Sequence, residues 1–94
     1  MLVRVRAFAT LADLVGMRSI ELELPEGSTV GDALRALVQR CGRALEEAIM
    51  DEHGRPRKLV KIFLNGRDVD FLSGLNTPLS DGDELLLFPP VGGG

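Results

Sequence analysis

The chain has 94 residues, of which 45 % are apolar and 27 % charged, with a formal net charge of −3; this fits one domain with an ordinary core and is too short for two. So small a charge, with both signs interspersed, argues against nucleic acid as a main partner. No run approaches the ~20 apolar residues of a membrane span, and a lone cysteine, Cys41, excludes an internal disulfide or a cysteine-based zinc site. Met1-Leu2-Val3-Arg4 runs straight into alternating residues with no signal-type apolar stretch, so the expected location is the cytoplasm.

Leu2 to Phe8 alternates, with Val3, Val5 and Ala7 on one face and Leu2, Arg4, Arg6 and Phe8 on the other. This predicts a first strand with one face in the core. Thr10 is placed to cap a short helix through Leu11, Leu14 and Val15, stopped by Gly16. Ile20, Leu22 and Leu24 alternate with Ser19, Glu21 and Glu23, a second half-buried strand closed by the turn Pro25-Glu26-Gly27. Val30, Ala33, Leu34, Leu37, Val38 and Cys41 then fall on one stripe of a helix. Thr29 and Asp32 have capping-box spacing, and Gly42 is a stop.

Ala44, Leu45, Ala48 and Ile49 predict a second, shorter helical piece, and the polar run from Asp51 to Arg57 predicts an exposed loop. Leu59 to Leu64 reads as a third strand interrupted by Lys61, followed by the hairpin dipeptide Asn65-Gly66. Val69 and Phe71 begin a further extended piece, Ser73 to Pro78 is irregular, and Ser80-Asp81-Gly82-Asp83 is a tight turn. Glu84 to Phe88 is the last strand, ended by Pro89-Pro90, which cannot donate ladder hydrogen bonds. The order predicts an α+β fold of two layers, a mixed four- to five-stranded sheet on one long helix with short extra helices. The domain spans residues 1–89, and residues 90–94 form a flexible, glycine-rich tail.

No constellation for catalysis is visible. There is no phosphate-cradling loop, and no motif places a nucleophile beside a base. Cys41 belongs to the apolar helix stripe, His53 sits in a polar loop without fellow ligands, and Asp81, Asp83 and Glu84 read as turn residues, so no metal is expected. Arg55, Arg57, Lys58 and Lys61 form a basic cluster, and Lys58 and Lys61 are the only lysines. The sequence given stops at Val91-Gly92-Gly93-Gly94. A glycine run makes a slim thread, suited to carry a terminal carboxylate into a narrow active site.

Asn65-Gly66, Leu79-Ser80-Asp81-Gly82-Asp83-Glu84 and the ending Phe88-Pro89-Pro90-Val91-Gly92-Gly93-Gly94 resemble the small, sulfur-carrying subunit of molybdopterin synthase, the MoaD family. Phe8-Ala9 through Leu14-Val15-Gly16 shares the likeness. The resemblance implies a ubiquitin-like β-grasp fold. It also implies that an E1-like adenylating enzyme (MoaB/MoeB/ThiF-like) uses ATP to convert the Gly94 carboxylate to an acyl-adenylate. A sulfur donor then turns it into a thiocarboxylate for a MoaE-like large subunit. The chain itself would bind no cofactor and have no active site of its own, only the reactive Gly94. In this reading Gly92 and Gly93 thread the tail, Pro89 and Pro90 stiffen its exit, and Phe8, Phe88, Pro89, Pro90 and Val91 face partners. A carrier for cysteine, thiamine or tRNA thiolation, or a ubiquitin-like modifier conjugated to lysines, fits the same chemistry. A plain β-grasp interaction module is the reading without terminal chemistry. For Phe8 and Phe88 the alternative to a partner surface is ordinary core.

Overall fold

Alternation along each strand decides which side chains meet the helices. The structure is a computed structural model describing residues 1–16 and 18–89. Strand β1 (Leu2–Ala7) buries Val3, Val5 and Ala7, and β2 (Ser19–Glu23) buries Ile20 and Leu22. Between them α1 (Thr10–Val15) buries Leu11 and Val15 and ends at Gly16 in the left-handed conformation, φ 86°. After α2 (Val30–Cys41) and α3 (Arg43–Ile49), β3 (Lys61–Leu64) and β4 (Arg67–Asp68) form a hairpin, and β5 (Glu84–Phe88) closes the sheet.

The sheet order is β2-β1-β5-β3-β4. β1 is therefore an interior strand, antiparallel to β2 and parallel to β5, and β5 holds the centre. Val3, Val5, Leu85, Leu87, Ile62 and Leu64 project to one side, where Val30, Leu34 and Leu37 of α2 and Leu45 and Ile49 of α3 complete the core. Fully burying a leucine contributes about 1.5–3 kcal/mol relative to leaving it exposed, so this one layer of contacts carries most of the fold.

The capping box at α2 is present: Asp32 N donates to Thr29 Oγ1 (3.3 Å) and Thr29 N donates to Asp32 Oδ2 (2.9 Å). The hairpin turn is equally local in origin. Asn65 and Gly66 take φ 50° and 86°, the pair of positive angles that a two-residue turn needs to match strand twist.

Four expectations are corrected. Thr10 does not cap α1; it is the first helical residue, and the capping position belongs to Ala9, φ 52°, with no side-chain cap. Val69 and Phe71 do not extend a strand but form a 3₁₀ turn (Val69–Phe71), because Asp68 Oδ1 accepts from Asp70 N (2.9 Å) and bends the backbone out of the ladder. β3 starts at Lys61 rather than Leu59, since Val60 N is spent on a turn bond to Arg57 O (3.0 Å) and Leu59 stays exposed. Cys41 and Val38 lie at the margin of the α2 stripe, half-buried rather than in the core.

Candidate functional site

The parallel pairing of β1 and β5 decides where Phe8 and Phe88 go. Ala7 pairs with Leu87 in the register, so the next residue on each chain falls on the opposite face, away from the helices. Phe8, the residue after β1, and Phe88, the last of β5, are thereby neighbours, and their rings stack with centroids 4.5 Å apart and planes 7° from parallel. Both are half-buried. They are neither core nor isolated surface residues.

A third aromatic joins them that the sequence reading did not single out. Lys61 stands opposite Phe88 and Phe63 opposite Leu86 in the antiparallel β3–β5 register. Phe63 is thus a diagonal neighbour of Phe88, within reach of a large ring, and meets it edge-on at 5.5 Å and 87°. The signal was present: Phe63 lies two residues after Lys61 on a strand whose lysine must face water. Phe8, Phe63, Leu86 and Phe88 form one half-buried apolar patch on the face that no helix covers.

Charge of both signs rims this patch. The Arg6 guanidinium lies 5.6 Å from the Phe8 ring centroid and 3.9 Å from Glu84 Oε2. Lys61 Nζ sits between the Asp68 and Asp70 carboxylates, at 3.4 and 3.6 Å. An apolar centre with a polar rim is the anatomy of a docking surface. The surface also stands at the exit of the central strand, since Pro89 follows Phe88 directly and is half-buried. Pro90, Val91, Gly92, Gly93 and Gly94 lie outside the described residues.

Nothing else among the described residues assembles into a reaction centre. No group of three or more His, Cys, Asp or Glu side chains there could hold a metal ion, and no helix of the described residues is long and apolar enough to cross a membrane. His53 is exposed, beside Glu52 at 3.7 Å. Asp81, Asp83 and Asn65 organise turns: Asp81 Oδ1 accepts from Leu2 N (2.7 Å), Asp83 Oδ2 from Ser80 N (2.7 Å), and Asn65 Nδ2 donates to Asp83 Oδ1 (2.9 Å). Cys41 Sγ donates to Val15 O at 3.8 Å, and partial burial pushes its thiol pKa up, the reverse of what a reactive cysteine needs.

The ThiS family model matches residues 5–94. Small archaeal modifier protein 3 of Haloferax volcanii is 40 % identical over 93 residues, covering 95 % of each chain. The crystal structure of the small archaeal modifier SAMP1 from the same organism superimposes with a TM-score of 0.88 at 35 % identity, covering 100 % of both chains. A putative molybdopterin converting factor, subunit 1, of Pyrococcus furiosus superimposes with a TM-score of 0.76 at 32 % identity, covering 97 % of this chain and 99 % of that one. These likenesses confirm the ubiquitin-like β-grasp fold. The chain belongs to the ThiS family, the ubiquitin-like sulfur carriers and small modifiers.

Proposed function

We propose that Gly94, read as the carboxyl terminus, is activated by an E1-like enzyme and that the activated acyl group is conjugated to protein lysines. The observation that carries the reading is the continuity of the central strand with the aromatic patch and the tail. β5 leaves the core and ends at Phe88 in the aromatic patch, so a partner docked on Phe8, Phe63 and Phe88 meets the chain where the tail begins. The family match, which extends to residue 94, and the likeness to two small archaeal modifiers support it.

A carboxylate resists nucleophiles because it is anionic and lacks a leaving group. Transfer of AMP from ATP to the Gly94 carboxylate, with loss of pyrophosphate, supplies both a neutral acyl carbon and a leaving group. The amine of a target lysine then attacks that carbon, AMP departs with its bonding electrons, and the amine proton passes to solvent. On this reading the carrier contributes the acyl group and the docking face, and the partner enzyme the nucleotide chemistry.

A second reading keeps the same activation and changes the acceptor. A sulfur donor displaces AMP, and the thiocarboxylate delivers sulfur to a MoaE-like large subunit of molybdopterin synthase. The ending Phe88-Pro89-Pro90-Val91 and the likeness to the Pyrococcus furiosus protein favour it.

One experiment separates them. The carrier is incubated with the E1-like enzyme of its own genome, ATP, a sulfur source and a cell extract, and products are read by intact and tryptic mass. No Lys or Arg follows Arg67, so trypsin leaves the whole segment from Asp68 to Gly94 as a branch on any modified lysine. Branched peptides are expected, and they disappear when Gly93 and Gly94 are deleted. Replacement of one carboxyl oxygen by sulfur without any branched peptide favours the second reading. If neither product forms, terminal activation is wrong.

A further inference from the structure

We propose that the exposed edge of β2 is a docking site for an extended segment of another protein in which Lys or Arg alternates with small apolar residues. The segment adds to the sheet as a further strand beside Ser19–Glu23, on the side of β2 away from β1. The inference does not rest on the terminal chemistry of Gly94, and no residue of the aromatic patch belongs to this edge.

The hydrogen bonds at both ends of β2 show which backbone groups are open. Ala7 N donates to Arg18 O (3.0 Å), and Leu24 N donates to Met1 O (2.8 Å). Bonding alternates along an antiparallel ladder, so Ile20 and Leu22, which share the parity of Arg18 and Leu24, spend their N–H and C=O groups on β1. Ser19, Glu21 and Glu23 turn theirs outward. Among the described residues the only bond to these groups is from Arg40 Nη1 to Glu21 O (3.3 Å). That bond is long and Arg40 is exposed, so a partner N–H can replace it. The opposite edge of the sheet offers no such row, because β4 is two residues long and turns away at Asp68.

Charge selects the occupant. Glu21, Glu23 and Glu26 are exposed along this edge, and none lies within ion-pair distance of a cation among the described residues. Arg4 stands across from Glu21 in the register, but on its inner side. Beside Glu21 a hollow of about 280 Å³ adds the Asp81, Asp83 and Glu84 carboxylates, against the single guanidinium of Arg4 in its walls. A second copy does not fit. The antiparallel register that pairs all five residues of β2 with their counterparts puts Glu21 opposite Glu21, and like charges directly opposite destabilise a sheet. Such charges keep copies of an exposed edge apart. The same charges admit a strand that carries cations at alternate positions.

Strand parity then sets the order of side chains in the partner. An added strand alternates between faces as β2 does. Its residues level with Glu21 and Glu23 stand on the open face and meet those carboxylates. The residues between them project to the helix side, in line with Ile20, Leu22 and Leu24. There a groove of about 480 Å³ lies between the end of β2 and α2, with Leu24, Pro25, Ala36 and Gln39 in its walls. The Asp32 carboxylate and the Arg35 guanidinium, also in those walls, pair with each other. Glu26 is left as the groove's unpaired charge. Small apolar side chains fill such a groove without burying a charge.

The test uses the full chain, labelled with 15N, and short capped peptides. One alternates Val and Lys, one has the same composition with its lysines in a block, and one alternates Val and Glu. Two more alternating Val-Lys peptides carry N-methyl groups on every lysine or on every valine, which removes alternate amide donors. Binding is read from amide shifts and hydrogen exchange. The plain Val-Lys peptide is expected to move the amides of Ser19 to Glu23 and to slow exchange at Ser19, Glu21 and Glu23. One N-methyl form should lose binding and the other keep it. Glu21→Gln combined with Glu23→Gln should weaken binding about fivefold, with the remaining amide shifts unchanged. The inference is overturned if no peptide binds, if the block or Val-Glu peptide binds as tightly, if the two N-methyl forms behave alike, or if the shifts centre on Phe8, Phe63 and Phe88.

Discussion

Asp32 and Asp51 show how single carboxylates tie segments together. Asp32 is held below its ordinary pKa of 3.8 first by the backbone N–H of Thr29 and then by the Arg35 guanidinium. Asp51 is held below the same value first by the backbone N–H of Arg55, with that of His53 adding to it. A carboxyl whose folded pKa lies below its unfolded one stabilises fully above the unfolded value, and that contribution vanishes as pH falls through the folded value. Stability should therefore drop in the acid range beneath pH 3.8. Urea midpoints measured across that range should fall less steeply in the double variant Asp32→Asn, Asp51→Asn. Parallel slopes for the two proteins would remove these carboxylates as a source of acid sensitivity.

The helix α2 is the element on which the fold depends most. Its cap residues and its apolar stripe agree with each other, and Val30, Ala33, Leu34 and Leu37 are all buried against the sheet. Leu37 is 0 % exposed, so truncating it leaves a cavity as well as losing the transfer energy. Leu37→Ala should cost about 2–5 kcal/mol, read from denaturant unfolding. A loss below the lower bound would mean that the helix repacks onto the sheet. Local chemistry explains the elements that the sequence misplaced. Asp68 captures the amide of Asp70 and ends β4 early, and Ala9 takes the capping position that Thr10 was expected to hold.

At the scale of the whole molecule, the two faces of the sheet have different tasks. One is sealed by α2 and α3; the other presents Phe63 from β3, Leu86 and Phe88 from β5, and Phe8 just after β1. Replacing Phe63 removes one edge-on aromatic contact, of a kind that adds about 0.5–1.5 kcal/mol beyond area burial. Phe63→Ser should leave the chain folded and raise the KM of the activating enzyme for the carrier, with kcat little changed, because the residue belongs to the docking surface and not to the reacting group. An unaltered KM would show that activation does not use this face. Phe63 was missed because Leu59 to Leu64 reads as one apolar run. Periodicity alone leaves such a run without an inside and an outside until Lys61 is assigned to water.

Much of this protein is written in short-range pattern. Strand alternation, the Thr29–Asp32 cap, the stop at Gly16 and the Asn65-Gly66 turn each depend on residues within a few positions of one another, so the sequence determined the elements and the two-layer class. The ending from Phe88 to Gly94 also carried the family resemblance without any fold. Only the tertiary structure decided that β5 lies at the centre, that parallel register stacks Phe8 on Phe88, and that Lys61 is held by Asp68 and Asp70. Those facts join residues as many as 80 positions apart. Pairing between distant strands is fixed by how all the apolar faces share one core, which no local stretch of sequence contains.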